Sequence, residues 1–459
     1  MPRQLPVVVF PLLLLSAPLA AQSWRQATPP HAPSARDGHA LSYDAQAQRT
    51  VLFGGYRYSL DQHLADTWTF DGQDWTQIAT AVAPPPRRVH GMCFDRQRGV
   101  TVLFGGFVGG SFSPVVYRDD TWEFDGAAWQ QVTIPGARPS PRFTPIAFDE
   151  NRGVVVLFGG NGNAGALADT WEFDGATWTQ RTSPTYPPAH HRHQLAYDAA
   201  RGVTVLQQSY TMGGPTVLQT WQWDGQTWTQ IVTPTPAPLM SEPAMTYDRQ
   251  RQVVLLVGNG FAGPAASWAF DGIDWQQLPA TFGAARSDHA MAFDEARGAA
   301  VLFGGSVDSG AWIVEHDDTW QFGIWAEFSP FGGACGASLP ALASASGAGP
   351  RSGTTMTTRL SLYSPGSLPV IVTGASDQSW QGTALPVDLS MLGLSGCQLR
   401  VGLDVVTVLA DQGGQADLDF AVPAAPALHG ATFFQQGAVF DAGLALAAVS
   451  NAAKLRVGL

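Results

Sequence analysis

The stretch TWTFDGQDW, from Thr67 to Trp75, recurs as TWEFDGAAW from Thr121, TWEFDGATW from Thr170, TWQWDGQTW from Thr220 and SWAFDGIDW from Ser267. A shortened copy, TWQFGIW from Thr319 to Trp325, keeps the opening and has lost the Asp-Gly. The spacing is about fifty residues, a period typical of arrays of small supersecondary units. Asp-Gly between aromatic and apolar runs is a strong hairpin signal, because a type I′ turn needs positive φ at both central residues. With Asp71 and Gly72 at the centre, Trp68 and Trp75 are expected to face each other across the strand pair. The same symmetry relates Trp122 to Trp129, Trp171 to Trp178, Trp221 to Trp228, and Trp268 to Trp275. These tryptophans could stack on carbohydrate or pack between neighbouring units, and recurrence in every copy favours packing.

Working outward, a second hairpin precedes each of these. In AFDENRGVVVLFGG, Ala147 to Gly160, apolar runs flank a polar Asp-x-x-Arg turn. The aspartate stands at Asp44, Asp95, Asp149, Asp198, Asp248 and Asp294; the arginine at Arg98, Arg152, Arg201, Arg251 and Arg297, with Ala47 in the first copy. The pair reads as a turn lock. Each repeat thus holds four short strands, the content of one propeller blade.

With these elements in register the chain resembles the Kelch-repeat family. A Gly-Gly doublet closes the second strand at Gly54-Gly55, Gly105-Gly106, Gly159-Gly160 and Gly304-Gly305, ahead of an aromatic strand that opens on Asp-Thr-Trp in several copies. Copies four and five depart from the pattern, with Gln207-Gln208 and Gly258-Asn259 in place of the doublet. The resemblance covers roughly residues 24 to 323 and implies an all-β fold, a six-bladed propeller. A propeller must leave few free strand edges, and the sixth copy lacks its last strand. SWRQATPPHAPSAR, from Ser23, is similar to the fourth-strand segment DWTQIATAVAPPPRR from Asp74, so the N-terminal strand with Trp24 is expected to complete the sixth blade.

The flanks suggest export. Arg3, the apolar stretch Leu5 to Leu15 and the small-residue site Leu19-Ala20-Ala21 read as a signal peptide over residues 1–21, with the mature chain beginning near Gln22. That run is interrupted by Pro6 and Pro11 and is shorter than the ~20 residues a spanning helix needs. The expected location is therefore secreted or at the cell surface, the periplasm included. The net charge of −12, with Lys454 the only lysine, argues against nucleic acid and anionic lipid, which require basic footprints. Cys93, Cys335 and Cys397 allow one disulfide and one leftover thiol in an oxidising compartment, with Cys335 and Cys397 as the expected pair. Cys93 takes a position held by Ser, Ala or Thr in the other repeats and reads as a small buried residue.

The propeller is expected over residues 22–325. After it the composition shifts to Ala, Gly, Ser, Leu and Val, with a linker-like stretch from Gly332 to Gly353. Runs at Arg359 to Tyr363, Pro369 to Thr373, Gln398 to Leu403 and Val405 to Leu409 predict a small β-sandwich-like module over residues 326–459. It is similar to C-terminal modules of exported bacterial repeat proteins; surface attachment and capping of the propeller are both open to it.

Before the first strand of the repeats stands a recurring basic and imidazole pattern: Arg36 and His39, Arg87 and His90, Arg142, Arg192 and His193, Arg286 and His289. In Kelch propellers the first strand is innermost, so the resemblance implies that these groups surround one mouth of the central channel. There they could hold a carboxylate, sulfate or acidic sugar through charge-assisted hydrogen bonds, or each could bond the backbone of a neighbouring blade. No cofactor is expected and no metal, since no histidine pair shows ligand spacing. Copper-radical oxidases similar to galactose oxidase need a Tyr-His dipeptide, and sialidases need Ser-x-Asp-x-Gly-x-x-Trp boxes; neither occurs. Binding of a protein or glycan by a monomeric scaffold is the favoured reading, with the loops Tyr56 to Ala65 and Phe107 to Asp119 as its adaptable surface. A sugar-acting enzyme similar to Kelch-type sialic acid mutarotases is the alternative, and a carboxylate within hydrogen-bond reach of an arginine or histidine in the funnel would favour it.

Overall fold

The computed structural model describes residues 23–456, apart from 111–112, 211–215, 237, 261–264, 280–282, 284, 309–311, 324–326, 332–333, 337–339, 346–348, 352–353, 381–382, 391–393, 395–396, 402, 423–430 and 442–444. The expected signal peptide at residues 1–21 lies outside the described residues, as do Trp325 and parts of the 332–353 stretch. Two compact units are present, one spanning Gln22–Gly323 and one containing Ile324–Leu459.

Among the described residues, the first unit is a ring of six antiparallel sheets. Blade one runs Ala40–Asp44, Arg49–Arg57, Gln62–Phe70 and Trp75–Ile78 in spatial order, and the other blades repeat this meander. The first strands of successive blades touch one another around the whole circle, the sixth (Ala290–Asp294) meeting the first (Ala40–Asp44), so they wall the axis. Closure is made by the N-terminus. Ser23–Ala27 pairs antiparallel with Thr319–Gly323, placing Trp24 opposite Phe322 as the outer strand of blade six.

A ring of tryptophans stitches the blades together. The outer-strand indole N–H of Trp75 donates to Thr319 Oγ1 of the preceding blade at 2.9 Å. Trp129 donates likewise to Thr67, Trp178 to Thr121, Trp228 to Thr170 and Trp275 to Thr220, at 2.8 to 3.0 Å. Trp24 completes the circle on Ser267 at 2.9 Å. A buried indole removes roughly 150–250 Å² from water, so at about 25 cal/mol per Å² each contributes on the order of 4–6 kcal/mol of gross transfer free energy. The recurrence of the tryptophans is a packing device.

The Asp-Gly hairpin differs from the two-residue turn read from the sequence. Phe70 pairs with Trp75 and Trp68 with Gln77, so the loop is the four residues Asp71 to Asp74. The cause is the aspartate side chain: Asp71 Oδ1 accepts the N–H groups of Gln73 and Asp74 at 2.9 and 2.8 Å, an Asx turn that lengthens the loop. Gly72 alone needs positive φ, at 92°. The Asp-x-x-Arg turns do lock: Arg98, Arg152, Arg201, Arg251 and Arg297 reach the aspartate three residues earlier at 2.6 to 2.8 Å.

The second unit is a β-sandwich. One sheet orders Glu327–Phe331, Leu446–Arg456, Thr432–Phe440, Leu368–Gly374 and Val405–Val408, and the other Ala341–Ser344, Thr355–Ser361 and Gln415–Ala421. Leu342, Met356 and Leu360 of the second sheet share one core with Ile371, Val439 and Leu455 of the first. Cys335 and Cys397 form a disulfide beside buried Leu389 and Val449.

Candidate functional site

The recurring arginines are wall elements. Arg36 is fully buried, and its guanidinium donates to both carboxylate oxygens of Asp66 at 2.7 and 2.8 Å and to the Gly54 carbonyl at 3.0 Å. Arg87 grips Asp120 and the Gly105 carbonyl, Arg142 grips Asp169 and Gly159, and Arg286 grips Asp318 and Gly304. The third-strand indoles of Trp68, Trp122, Trp171 and Trp320 donate to the same carboxylates, each at 2.7 Å. Burial alone would raise these four carboxyls. The guanidinium and indole hydrogen bonds instead hold Asp66, Asp120, Asp169 and Asp318 below the ordinary carboxylate range. The aspartate of the Asp-Thr-Trp motif is thus the arginine's partner in a bidentate, charge-assisted clamp.

The histidines are wall elements as well. His39 and His90 stand edge-on to Phe303 and Phe53 of the preceding blade. The Nε2 atoms of His193 and His289 lie 3.0 and 3.1 Å from the carbonyls of Phe158 and Val257. Burial first, then neighbouring cations, push His39 well below its usual range and His90 and His289 down to about 3. Burial likewise pushes His193 down to about 4. They are neutral at physiological pH and form no cationic ring.

Arg192 alone among the recurring groups is part-exposed and stands outside the clamp register. It lies 3.1 Å from Glu242, a carboxylate that the recurring pattern did not reveal. In blade four Gln208 and Gln219 replace the clamp, with Trp221 donating to Gln219 Oε1.

At this mouth of the channel, just before the first strands, the blades present Asp37, Arg88, Phe143, Arg192, Glu242 and Asp288 in turn. The segments are joined around the circle by backbone bonds (Gly38 N–H to Asp288 O, Val89 N–H to Gly38 O, Asp288 N–H to Glu242 O), by rings packing Phe143 against Phe107 and His191, and by the Arg192–Glu242 pair. Burial, then the charge of Asp288, pushes the Asp37 and Glu242 carboxyls up to about 7; burial also raises Asp288. Asp37 accepts from Ser306 at 2.8 Å through Oδ2, while its buried Oδ1 has no hydrogen-bond partner. Arg88 lies over the rings of Tyr56 and Phe107 and donates to the Tyr58 hydroxyl at 2.9 Å. The backbone is strained here too. Val89, Glu242 and Asp288 hold φ of 54°, 40° and 54°, a region in which a non-glycine residue costs roughly 1–3 kcal/mol.

The channel holds a cavity of about 180 Å³, lined by the first strands with Cys93 among them, and by Arg96, Glu150, Arg249 and Glu295; burial pushes the Cys93 thiol up. At the far end four charged side chains stay 22–33% exposed. Arg96, Glu150, Arg249 and Glu295, one residue beyond the recurring aspartates, pair in a closed loop: Arg96 with Glu150 at 3.7 Å and with Glu295, Arg249 with Glu295 at 3.2 Å and with Glu150. Their charges cancel. The signal for the mouth residues was in the sequence, as the positions that fail to repeat within repeating segments.

Residues 13–214 match the family model described as the KLHDC2/KLHL20/DRC7 Kelch-repeats domain. The flagellar outer-arm dynein alpha chain of Chlamydomonas reinhardtii is 33% identical over 146 residues, 29% of this chain and 3% of the relative. Dynein regulatory complex subunit 7 of the same organism is 30% identical over 136 residues, 28% of this chain and 11% of the relative. The matched segments are thus a small part of these proteins. The solved structure of YjhT aligns over 63% of this chain and 95% of its own, at 12% identity and a TM-score of 0.46.

Proposed function

We propose that this Kelch-repeat propeller is an exported binding scaffold whose ligand, a protein or a glycan, docks on the mouth formed by Asp37, Arg88, Phe143, Arg192, Glu242 and Asp288. The observation that carries the reading is the conjunction at one place of carboxyls raised by burial and mutual repulsion, an unpartnered Asp37 oxygen and a strained backbone at Glu242 and Asp288. Such strain persists where the surrounding structure over-determines it, and such sites cluster at ligand clamps. The mixture of carboxyls, guanidiniums and aromatic rings suits a ligand with both hydrogen-bond donors and acceptors.

The test is binding of the purified protein to glycan and peptide arrays, sialylated and sulfated sugars included, repeated with Asp37→Asn, Arg88→Ala and Glu242→Gln. The expected result is at least about tenfold weaker binding in these variants, the scale of one lost charge-assisted hydrogen bond, with no loss of melting temperature. Binding that ignores all three variants would move the ligand elsewhere on the surface. A second reading, a sugar-acting enzyme of the mutarotase type, is favoured by the Glu242 carboxyl, which titrates near neutrality 3.1 Å from Arg192 and is suited to proton transfer. Faster anomer exchange in sialic acid, measured by NMR and abolished by Glu242→Gln, would establish it.

A further inference from the structure

The turn-lock arginine has a second task in four of the five blades that carry it. Arg98, Arg152, Arg201 and Arg297 lie against the hairpin glycine of the next blade, so close that a Cβ at Gly175, Gly225, Gly272 or Gly72 would fall within 2.7 Å of the guanidinium group. Arg98 and Arg152 also reach Glu123 and Glu172 on the third strands of their own blades. Blade one has Ala47 at this position, and the groove it leaves is open: a cavity of about 310 Å³ lined by Asp44, Ala47, Arg49, Thr69, Phe124 and Gly126, among others. Asp44 is 6% exposed, and its Oδ1 accepts the Gln46 and Ala47 N–H groups as in the other turns. Its Oδ2, which in the five other repeats takes an arginine, has no hydrogen bond and looks across the slot at Gly126, 3.9 Å from where a Cβ would stand. Thr69, in register with Glu123 and Glu172, is 5% exposed and its Oγ1 is also unpartnered.

We propose that the slot between blades one and two binds an alkylguanidinium group supplied in trans, the arginine side chain of a partner polypeptide, with Asp44 Oδ2 and Thr69 Oγ1 as acceptors and the Gly126 hairpin as the flat wall. The four filled slots are internal copies of the complex. A guanidinium fits here and an ammonium does so less well, because in the four equivalent places a guanidinium lies against the hairpin glycine while also pairing with the turn aspartate. Arg49, the cross-strand partner of Asp44, borders the slot but makes no ion pair with Asp44 among the described residues.

The probes are N-acetylarginine methylamide, its citrulline and lysine counterparts, and a short arginine-containing peptide, titrated against the full chain by heteronuclear NMR. The arginine amide and the peptide are expected to shift the Ala47, Thr69 and Gly126 amides and to bind at least about tenfold more tightly than citrulline, which lacks the charge. Asp44→Asn should weaken them by a similar factor, and Ala47→Arg with Gln48→Gly, which restores the filled arrangement, should abolish binding and raise the melting temperature. Equal binding of arginine and citrulline, or binding that survives the Ala47→Arg change, would overturn the proposal. So would binding that arises only after Arg49→Ser, since the slot would then be occupied by its own chain.

Discussion

The two ends of the central channel are built from the two ends of the same first strands, yet they solve opposite problems. Seven or eight positions of extended chain, roughly 23–26 Å, separate a mouth of Asp37, Arg88, Arg192, Glu242 and Asp288 from a floor of Arg96, Glu150, Arg249 and Glu295. On the floor each charge meets two of opposite sign and the loop is neutral. At the mouth like charges crowd, carboxyls are pushed up, and one oxygen has no partner. A buried ionic network adds to stability when every member is satisfied and costs free energy when it is not. On the proposed reading the floor is structure, and the mouth is the place that a ligand completes.

The walls between the two ends set the scale of the largest effect. Arg87→Ala is expected to cost about 3–5 kcal/mol in urea unfolding, the price of leaving Asp120 without its buried partner. Arg36→Ala and Arg286→Ala should behave alike. A loss below about 1 kcal/mol would return these arginines to the list of ligand groups.

The mouth sets the pH dependence. Asp37 and Glu242 have folded values near 7 against ordinary values of 3.8 and 4.5, so the folded chain holds protons that the unfolded chain has released. Their contribution favours the folded state at low pH and is lost as pH rises through about 7. Between about pH 5 and pH 7, unfolding free energy should fall by on the order of 4 kcal/mol, about 2 for each of the two carboxyls. Stability that is flat or rising across that window would sink the assignment of raised carboxyls. The smallest effect belongs to Arg192→Ala, which removes a part-exposed pair and should change stability by less than about 1 kcal/mol while weakening ligand binding.

The blades, their number and the closure by Trp24 were legible because they rest on local signals, Asp-Gly and Gly-Gly turns and alternating aromatics, repeated in register. Arithmetic, once export was supposed, gave one disulfide and one leftover thiol, and the pair expected, Cys335 with Cys397, is the one present. What escaped depends on chain segments that meet only in the ring. The Asp66 carboxylate stands 30 residues from Arg36, and no local pattern joins the two. Asp71 altered its own turn by accepting two N–H groups, a detail of side-chain geometry. The floor charges occupy one register position, but their pairing across the channel needs six strands brought to one axis. The mouth residues hid for the opposite reason, since a search for recurrence passes over the positions that vary.

The most direct test compares two neutralised proteins with the parent at pH 8. One carries Asp37→Asn, Glu242→Gln and Asp288→Asn at the mouth, and the other Glu150→Gln and Glu295→Gln on the floor, with unfolding free energies read from urea denaturation. The mouth variant is predicted to be more stable than the parent and the floor variant less stable. If both lose stability, the mouth is a structural network like the floor, and the account of a site held open for a ligand is contradicted.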